Sequence, residues 1–215
     1  MTRRDCIAVA IALPLVGLKP TAIASTVNNA PARILVVGDS LSAEYGLKRG
    51  SGWVTLLEQK MNDEKLPATV VNASISGDTT SGGVTRLSVL LAKHKPTLVV
   101  IELGGNDALR GLPLDMTRAN LVKMTQTAQV TGARVLLIGM QMPPNYGRTY
   151  GQEFAAMYGA VAKSTGAGLV PFMLKGIADA PDSLRWFQAD RIHPKEEAHP
   201  LILANVWPAL KKELK

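Results

Sequence analysis

From Arg33 onward, short runs of aliphatic residues alternate with stretches in which apolar positions recur every three or four residues. The aliphatic runs fall at residues 34–37, 69–71, 98–101, 134–138 and 169–172. They lack the polar/apolar alternation of a sheet with one wet face, and so suit strands buried on both sides of a parallel sheet. Between them, Trp53, Leu56, Leu57 and Met61 share one helical face, as do Val84, Leu87 and Leu91. Leu121, Met124 and Ala128 form a third such face, and Phe154, Met157, Tyr158 and Val161 a fourth. A final helix is predicted over 194–214, bent at Pro200 and Pro208. Five strands alternating with five helices predict an α/β fold, a three-layer α/β/α sandwich with right-handed crossovers. No internal repeat or low-complexity linker divides it.

In such a sheet, ligands bind beyond the carboxyl ends of the strands. The residues there are polar and glycine-rich: Gly38-Asp39-Ser40-Leu41-Ser42, then Asn72-Ala73-Ser74-Ile75-Ser76-Gly77-Asp78-Thr79, then Gly104-Gly105-Asn106-Asp107, then Met140-Gln141-Met142-Pro143-Pro144-Asn145-Tyr146. Asp190-Arg191-Ile192-His193-Pro194 stands before the last helix.

The start of the chain reads differently. Arg3 and Arg4 precede a nearly uninterrupted apolar run over 6–18, and Ala22-Ile23-Ala24 before Ser25 fits a small-x-small cleavage site. The run is shorter than the ~20 residues that a bilayer requires. Residues 1–24 are therefore expected to be a signal peptide, 25–32 a flexible mature N-terminus, and 33–215 the folded domain. Cleavage would remove Cys6, the only cysteine, leaving no thiol to mispair in an oxidising space. The expected location is periplasmic or secreted, with no membrane anchor once the leader is gone.

The chain has 215 residues and 24 Lys plus Arg against 17 Asp plus Glu. The basic residues are scattered and not interleaved with aromatics, so a nucleic-acid partner is not expected. One Cys and three His exclude a cysteine zinc site and a zincin. Neither G-x-G-x-x-G opening a helix nor G-x-x-x-x-G-K-[ST] occurs, which removes the usual phosphate cradles.

What remains is a hydroxyl, a base and an acid. Nucleophilic hydrolysis needs a base to take the hydroxyl proton and a group to orient that base. His94 lies between two lysines at a predicted helix end, and His199 falls within the last predicted helix. His193 alone has an acid three residues earlier and a proline after it, which places it at the entry of that helix. A loop from Asp190 to His193 can bring the carboxylate to Nδ1 and leave Nε2 free. Taken alone, the Asp-x-x-His pattern could equally be a cap with no chemistry. Ser40 sits in a turn after a buried strand, and donors to a developing oxyanion are available at the backbone N–H of Ser40, the backbone N–H of Gly77 and the Asn106 amide.

These residues carry a resemblance. Gly38-Asp39-Ser40-Leu41 resembles the first block of the GDSL, or SGNH, hydrolases. Gly77 with its neighbours resembles the second block, Gly104-Gly105-Asn106-Asp107 the third, and Asp190-Arg191-Ile192-His193-Pro194 the fifth. The blocks span about three-quarters of the chain. Leu41-Ser42-Ala43, residues 72–79 and Pro143-Pro144-Asn145-Tyr146-Gly147 are similar to the exported bacterial arylesterase and acyl-CoA thioesterase/lysophospholipase branch.

The resemblance implies a five-stranded parallel, flavodoxin-like sheet and catalysis by Ser40, His193 and Asp190. It further implies an oxyanion hole of Ser40, Gly77 and Asn106, and no metal or organic cofactor. The expected substrate is a small acyl ester or thioester, such as an aryl ester, acyl-CoA or a lysophospholipid. A carbohydrate O-acetylesterase on the same fold is the alternative. Residues 140–150 are read as a wall for the acyl chain, with Met142, Pro143, Asn145 and Tyr146 against substrate, or else as a plain surface connection. The protein is expected to be a monomer. Two positions depart from the branch, Glu44 and Arg191, where glycine is common; both are expected near the site, where they would bear on the preference for charged groups. Activity is expected to fall as the pH drops into the range where an imidazole protonates.

Overall fold

In the computed structural model, residues 31–214 are described; the expected leader and residues 25–30 lie outside them. Five strands, β1 (Ala32–Gly38), β2 (Ala68–Asn72), β3 (Leu98–Glu102), β4 (Arg134–Ile138) and β5 (Gly168–Val170), form one parallel sheet in the order β2-β1-β3-β4-β5. This is the flavodoxin-like order. The central strands are aliphatic because both of their faces are covered, and β3 is buried from end to end. Edge strand β2 is half-exposed. Ala32 already pairs with Ala68, so ordered chain begins before Arg33.

Helices α1 (Trp53–Asp63) and α6 (His199–Glu213) pack on one face. Helices α2 (Thr80–His94), α4 (Leu114–Val130) and α5 (Arg148–Thr165) pack on the other. A short helix not predicted from the sequence, α3 (Gly105–Leu109), follows β3. It has too few residues to show a periodic face.

Two predicted boundaries move. Strand β5 ends at Val170 rather than at Phe172; Pro171 has no N–H to offer a ladder. The last helix begins at His199 rather than at Pro194, after a 3-10 turn over Glu196–Ala198. Pro200 thus occupies the first helical turn, where a missing N–H costs nothing. Pro208 lies inside α6 and removes one helical hydrogen bond.

Each of the two helical layers is tied by buried polar groups of its own. Asp107 is fully buried and accepts the Thr80 N–H at 2.9 Å, together with the Thr80 and Thr117 hydroxyls. Its negative charge lies at the N-terminal end of α2, where the helix dipole favours it. His199, also buried, accepts the first N–H of α1, from Trp53, at 3.0 Å on Nδ1. Its ring also hydrogen-bonds the Pro194 backbone, so a single side chain joins α1 and α6 to the segment after His193.

Burial, only partly countered by the nearby Glu44 charge and the Pro194 bond, holds His199 down to about 4. The unfolded chain protonates it near the ordinary imidazole value of about 6.5. Stability from this group is therefore complete above about pH 6.5 and drains as the pH falls toward 4. His199→Asn keeps an oxygen that can accept the Trp53 N–H and does not titrate. The drop in unfolding free energy from about pH 7.5 to about 4.5 is expected to be smaller in this variant by about 2 kcal/mol, read by urea denaturation. Equal drops in both proteins would mean that His199 protonates freely in the fold.

Candidate active site

The carboxyl ends of β1, β2 and β3 lie side by side, and the turns after them are bound to one another. The Ala73 N–H donates to the Val36 carbonyl at 2.9 Å, and the Ile75 N–H to the Gly38 carbonyl at 3.0 Å. The Asn106 amide spans the gap, donating to Asp39 Oδ2 at 2.9 Å and to the Asp78 carbonyl at 3.0 Å. Arg86, from α2, pairs with Asp78 at 2.8 Å and donates to the carbonyls of Ala73 and Gly38. One guanidinium thus gathers two turns.

Half-buried Ser40 follows β1 in this crevice. Its Oγ lies 2.8 Å from His193 Nε2, and His193 Nδ1 lies 2.7 Å from Asp190 Oδ2. The three predicted side chains are therefore in register across 153 residues. Asp190 also accepts the Ile192 and His193 N–H groups on Oδ1, at 2.9 and 3.0 Å. That arrangement is an Asx turn, and it folds the carboxylate back onto the imidazole.

The base does not stand at a helix entry, as the sequence suggested. Phe187 and Pro194 form an isolated antiparallel bridge, with the Gln188 N–H donating to the His193 carbonyl at 2.8 Å and the Lys195 N–H to the Trp186 carbonyl at 2.7 Å. Pro194 closes a hairpin-like loop, and this loop presents His193.

Burial acts to raise the Asp190 carboxyl, yet the two N–H donors and the His193 ring outweigh it and hold the group at about 2. Below the crevice the balance reverses. Asp39 and Glu102 are both almost fully buried. Burial pushes both carboxyls up, with Glu102 raised further by the neighbouring Asp39 charge.

The sequence did not single out several residues that shape the site. Half-exposed Tyr45 lays its ring 4.3 Å from that of His193, tilted by 38°. Gln188 Nε2 donates to the Tyr45 and Pro194 carbonyls at 2.9 and 3.1 Å, holding the two together. Tyr45 stands five residues after Ser40 with no periodic signal, and Gln188 resembles any loop amide. Arg86 and Glu102 were hidden within a helix and a strand end.

Other expected residues are placed less directly. Gly77 adopts φ +77° and its carbonyl accepts from Arg110 at 2.7 Å. Both hydrogens of the Asn106 amide are engaged, so an oxyanion would have to share one of them. Among the described residues, Met142, Pro143, Asn145 and Tyr146 make no hydrogen bond or ring contact with Ser40, His193 or Asp190. Met142 and Pro143 line a cavity of about 590 Å³ against the start of α5, while Asn145 and Tyr146 are exposed.

Glu44 turns its carboxylate toward α1, accepting the Gly50 and Gly52 N–H groups at 2.9 and 2.8 Å and the Thr55 hydroxyl at 3.1 Å, so that it ties the turn before the helix to its first residues. Among the described residues, no cluster of His, Cys, Asp or Glu is arranged to hold a metal ion.

Residues 36–201 match the model of the GDSL-like lipase/acylhydrolase family. The chain belongs to that family. The esterase TesA of Pseudomonas aeruginosa is 53% identical over 178 residues, covering 83% of this chain and 87% of that protein. The thioesterase 1/protease 1/lysophospholipase L1 of Escherichia coli K12 is 41% identical over 169 residues, covering 79% and 78%. Among solved structures, the psychrotrophic esterase EstA from a Pseudoalteromonas species, inhibited by monoethylphosphonate, superposes with a TM-score of 0.79 at 39% identity, covering 85% of this chain and 98% of that one. The match to this GDSL-like hydrolase family contains the Ser40 turn, the Asn106 turn and the Asp190–His193 loop.

With Asp190 held at about 2, it is ionised throughout the working range. Asp190→Asn is expected to lower kcat by about 10²–10⁴-fold, because an amide cannot hold the imidazole as a carboxylate does. The acid limb of wild-type kcat/KM should lie well above pH 2; an acid limb near pH 2 would assign it to Asp190.

Proposed function

We propose that the protein is a serine esterase and thioesterase, cleaving small acyl esters and thioesters such as aryl esters, acyl-CoA or lysophospholipids. The observation carrying this reading is the unbroken relay from Ser40 Oγ through His193 to Asp190, at 2.8 and 2.7 Å. His193 Nε2 takes the hydroxyl proton as Ser40 Oγ bonds to the acyl carbon. The carbonyl π pair moves onto oxygen, where the N–H groups of Ser40 and Gly77 and the Asn106 amide stabilise it. The imidazolium then gives its proton to the departing alcohol or thiol as the C–O or C–S bond breaks. Water, deprotonated by His193, attacks the acyl-Ser40 carbonyl and releases the acid, restoring the hydroxyl. Asp190 stays charged throughout, orienting the ring and stabilising its cationic form.

Loop residues Met142, Pro143, Asn145 and Tyr146 are assigned to the acyl side, where an adaptable Met suits chains of different shape. The names of the relatives, an esterase and a thioesterase/lysophospholipase, support the substrate class. The leader-like residues 1–24 support export of the domain at 33–215 to a periplasmic or extracellular space, where it acts as a monomer. Among the described residues, no helix is long and apolar enough to cross a membrane.

Turnover of p-nitrophenyl acetate, butyrate and octanoate by the wild type and Ser40→Ala tests the reading. The variant is expected to lose about 10⁴-fold or more in kcat on every substrate that the wild type cleaves. Equal activity of the two, or none from either, would overturn it.

A further inference from the structure

Glu102 closes β3 directly opposite Gly38, the last residue of β1. It is 1% exposed, and Asp39 is 3% exposed. Among the described residues, no lysine or arginine forms an ion pair with it. Glu102 Oε2 instead accepts the Ser42 hydroxyl at 2.7 Å and the Asp39 N–H at 3.3 Å. The Trp53 indole N–H donates to Ser42 Oγ at 3.2 Å, so the hydroxyl is locked in place from behind. The space is tight: a Cβ on Gly38 would stand 2.8 Å from Glu102 Oε2. Burial and the neighbouring Asp39 charge both push the Glu102 carboxyl up, and two adjacent buried carboxyls can hydrogen-bond to each other only with a proton between them.

Asp39 in turn directs the residues around the nucleophile. Its Oδ1 accepts the Leu41 N–H at 3.0 Å, fixing the peptide just after Ser40. Its Oδ2 accepts the Asn106 amide at 2.9 Å. We propose that Glu102 is a positioning residue acting through Asp39: by sharing one proton with it, Glu102 holds the carboxylate that orients both the Ser40 turn and the Asn106 amide for the oxyanion. The inference rests on the hydrolase reading above and adds a residue to which the triad assigns no part.

The shared proton also limits charge. With it in place, the pair carries one negative charge, which the nearby His193 ring helps to hold on Asp39. Without it, two buried carboxylates repel each other under the nucleophile. The other titratable groups facing the pair are Asp78, which is paired with Arg86, His193, paired with Asp190, buried Tyr158 on α5, and Asp107 near that tyrosine. Tyr158 donates to the Leu103 carbonyl at 3.0 Å, and burial pushes its hydroxyl well up, so it stays neutral. Loss of the pair's proton as the pH rises should therefore lower kcat, a descending alkaline limb set by Glu102 and Asp39 together.

The test is kcat and KM for p-nitrophenyl butyrate from about pH 6 to 10, across the ordinary range of histidine and tyrosine, in the wild type, Glu102→Gln and Glu102→Leu. Glutamine reproduces the neutral acid: its oxygen can accept from Ser42 and Asp39, and its amide can donate to Asp39 at any pH. We expect Glu102→Gln to stay within about threefold of the wild type at neutral pH and to lose the alkaline limb. Glu102→Leu should lose about 10²-fold in kcat with KM nearly unchanged, because what is misplaced acts only in the transition state. Wild-type kcat in Glu102→Leu overturns the inference. So does a Glu102→Gln variant as impaired as Glu102→Leu, or one that keeps the wild-type alkaline fall. If the leucine variant does not fold, the profile of Glu102→Gln decides alone. A wild type inactive on every acyl ester would fail the hydrolase reading itself, whereas an active wild type with indifferent Glu102 variants fails only this inference.

Discussion

The contact between Ser40 Oγ and His193 Nε2 joins the end of the first strand to a loop late in the chain, and the fold is organised to keep those two ends together. Ser40 is held from within the sheet, since β1 is the second of five strands and is buried from Ile34 to Gly38. His193 has no such frame and is fixed from several sides. The Phe187–Pro194 bridge closes its loop, Gln188 ties that loop to the Tyr45 carbonyl, and His199 bonds both the Pro194 backbone and the start of α1. Preorganisation matters here because misplacement of about 1 Å can cost about 10²-fold in rate. Each anchor has a backbone group on at least one side, and together they leave the imidazole little freedom except to meet the hydroxyl.

The electrostatics under the crevice follow from the same parallel sheet. Crowding the carboxyl ends of strands together, with helices over both faces, excludes water from whatever polar side chains the turns carry. Three acids lie there, and each is accommodated differently. Asp107 accepts hydrogen bonds at a helix N-terminus, while Asp39 accepts from Leu41 and Asn106. Glu102 pairs with no cation among the described residues and is pushed toward its neutral form by burial and by Asp39. An isolated buried charge would be far costlier than any of these arrangements. Negative charge near an oxyanion opposes its formation, yet the same charge favours the imidazolium that forms with it. One charge on the Asp39–Glu102 pair is a compromise that two would not be.

Much of this was legible along the chain because burial on both faces leaves uninterrupted aliphatic runs, and because parallel strands put their following turns on one edge. The turn that carries Ser40 was readable for that reason, whereas Asp190 and His193 follow no strand, and it was the resemblance to the GDSL hydrolases that gave them their roles. The parts that were not have physical explanations. Edge strand β2 has fewer buried positions, β5 was overextended into a proline, and α3 is too brief for a period to emerge. The start of α6 was misplaced because a proline after His193 fits a helix start and a β-bridge equally well. Glu102 closes an apolar strand and looks like the first wet residue beyond it; only the neighbouring chain ends, remote in sequence, seal it.

Glu44 and Arg191, the two departures from the branch pattern, share one property of the backbone. Both have φ of +60°, a conformation that glycine adopts freely and other residues only at a cost of roughly 1–2 kcal/mol. The glycine common at these positions is thus explained by backbone shape, without reference to substrate. At Glu44 the cost is offset by hydrogen bonds from Gly50, Gly52 and Thr55, which fasten the turn before α1 to the start of the helix. At Arg191 the left-handed turn lets the chain reverse between Asp190 and His193, and its N–H closes the loop on the Gln188 carbonyl at 2.9 Å. A residue beside a catalytic loop acts on the reaction only if its side chain reaches the substrate. Glu44 spends its carboxylate on α1, and what both positions share is the sign of one backbone angle.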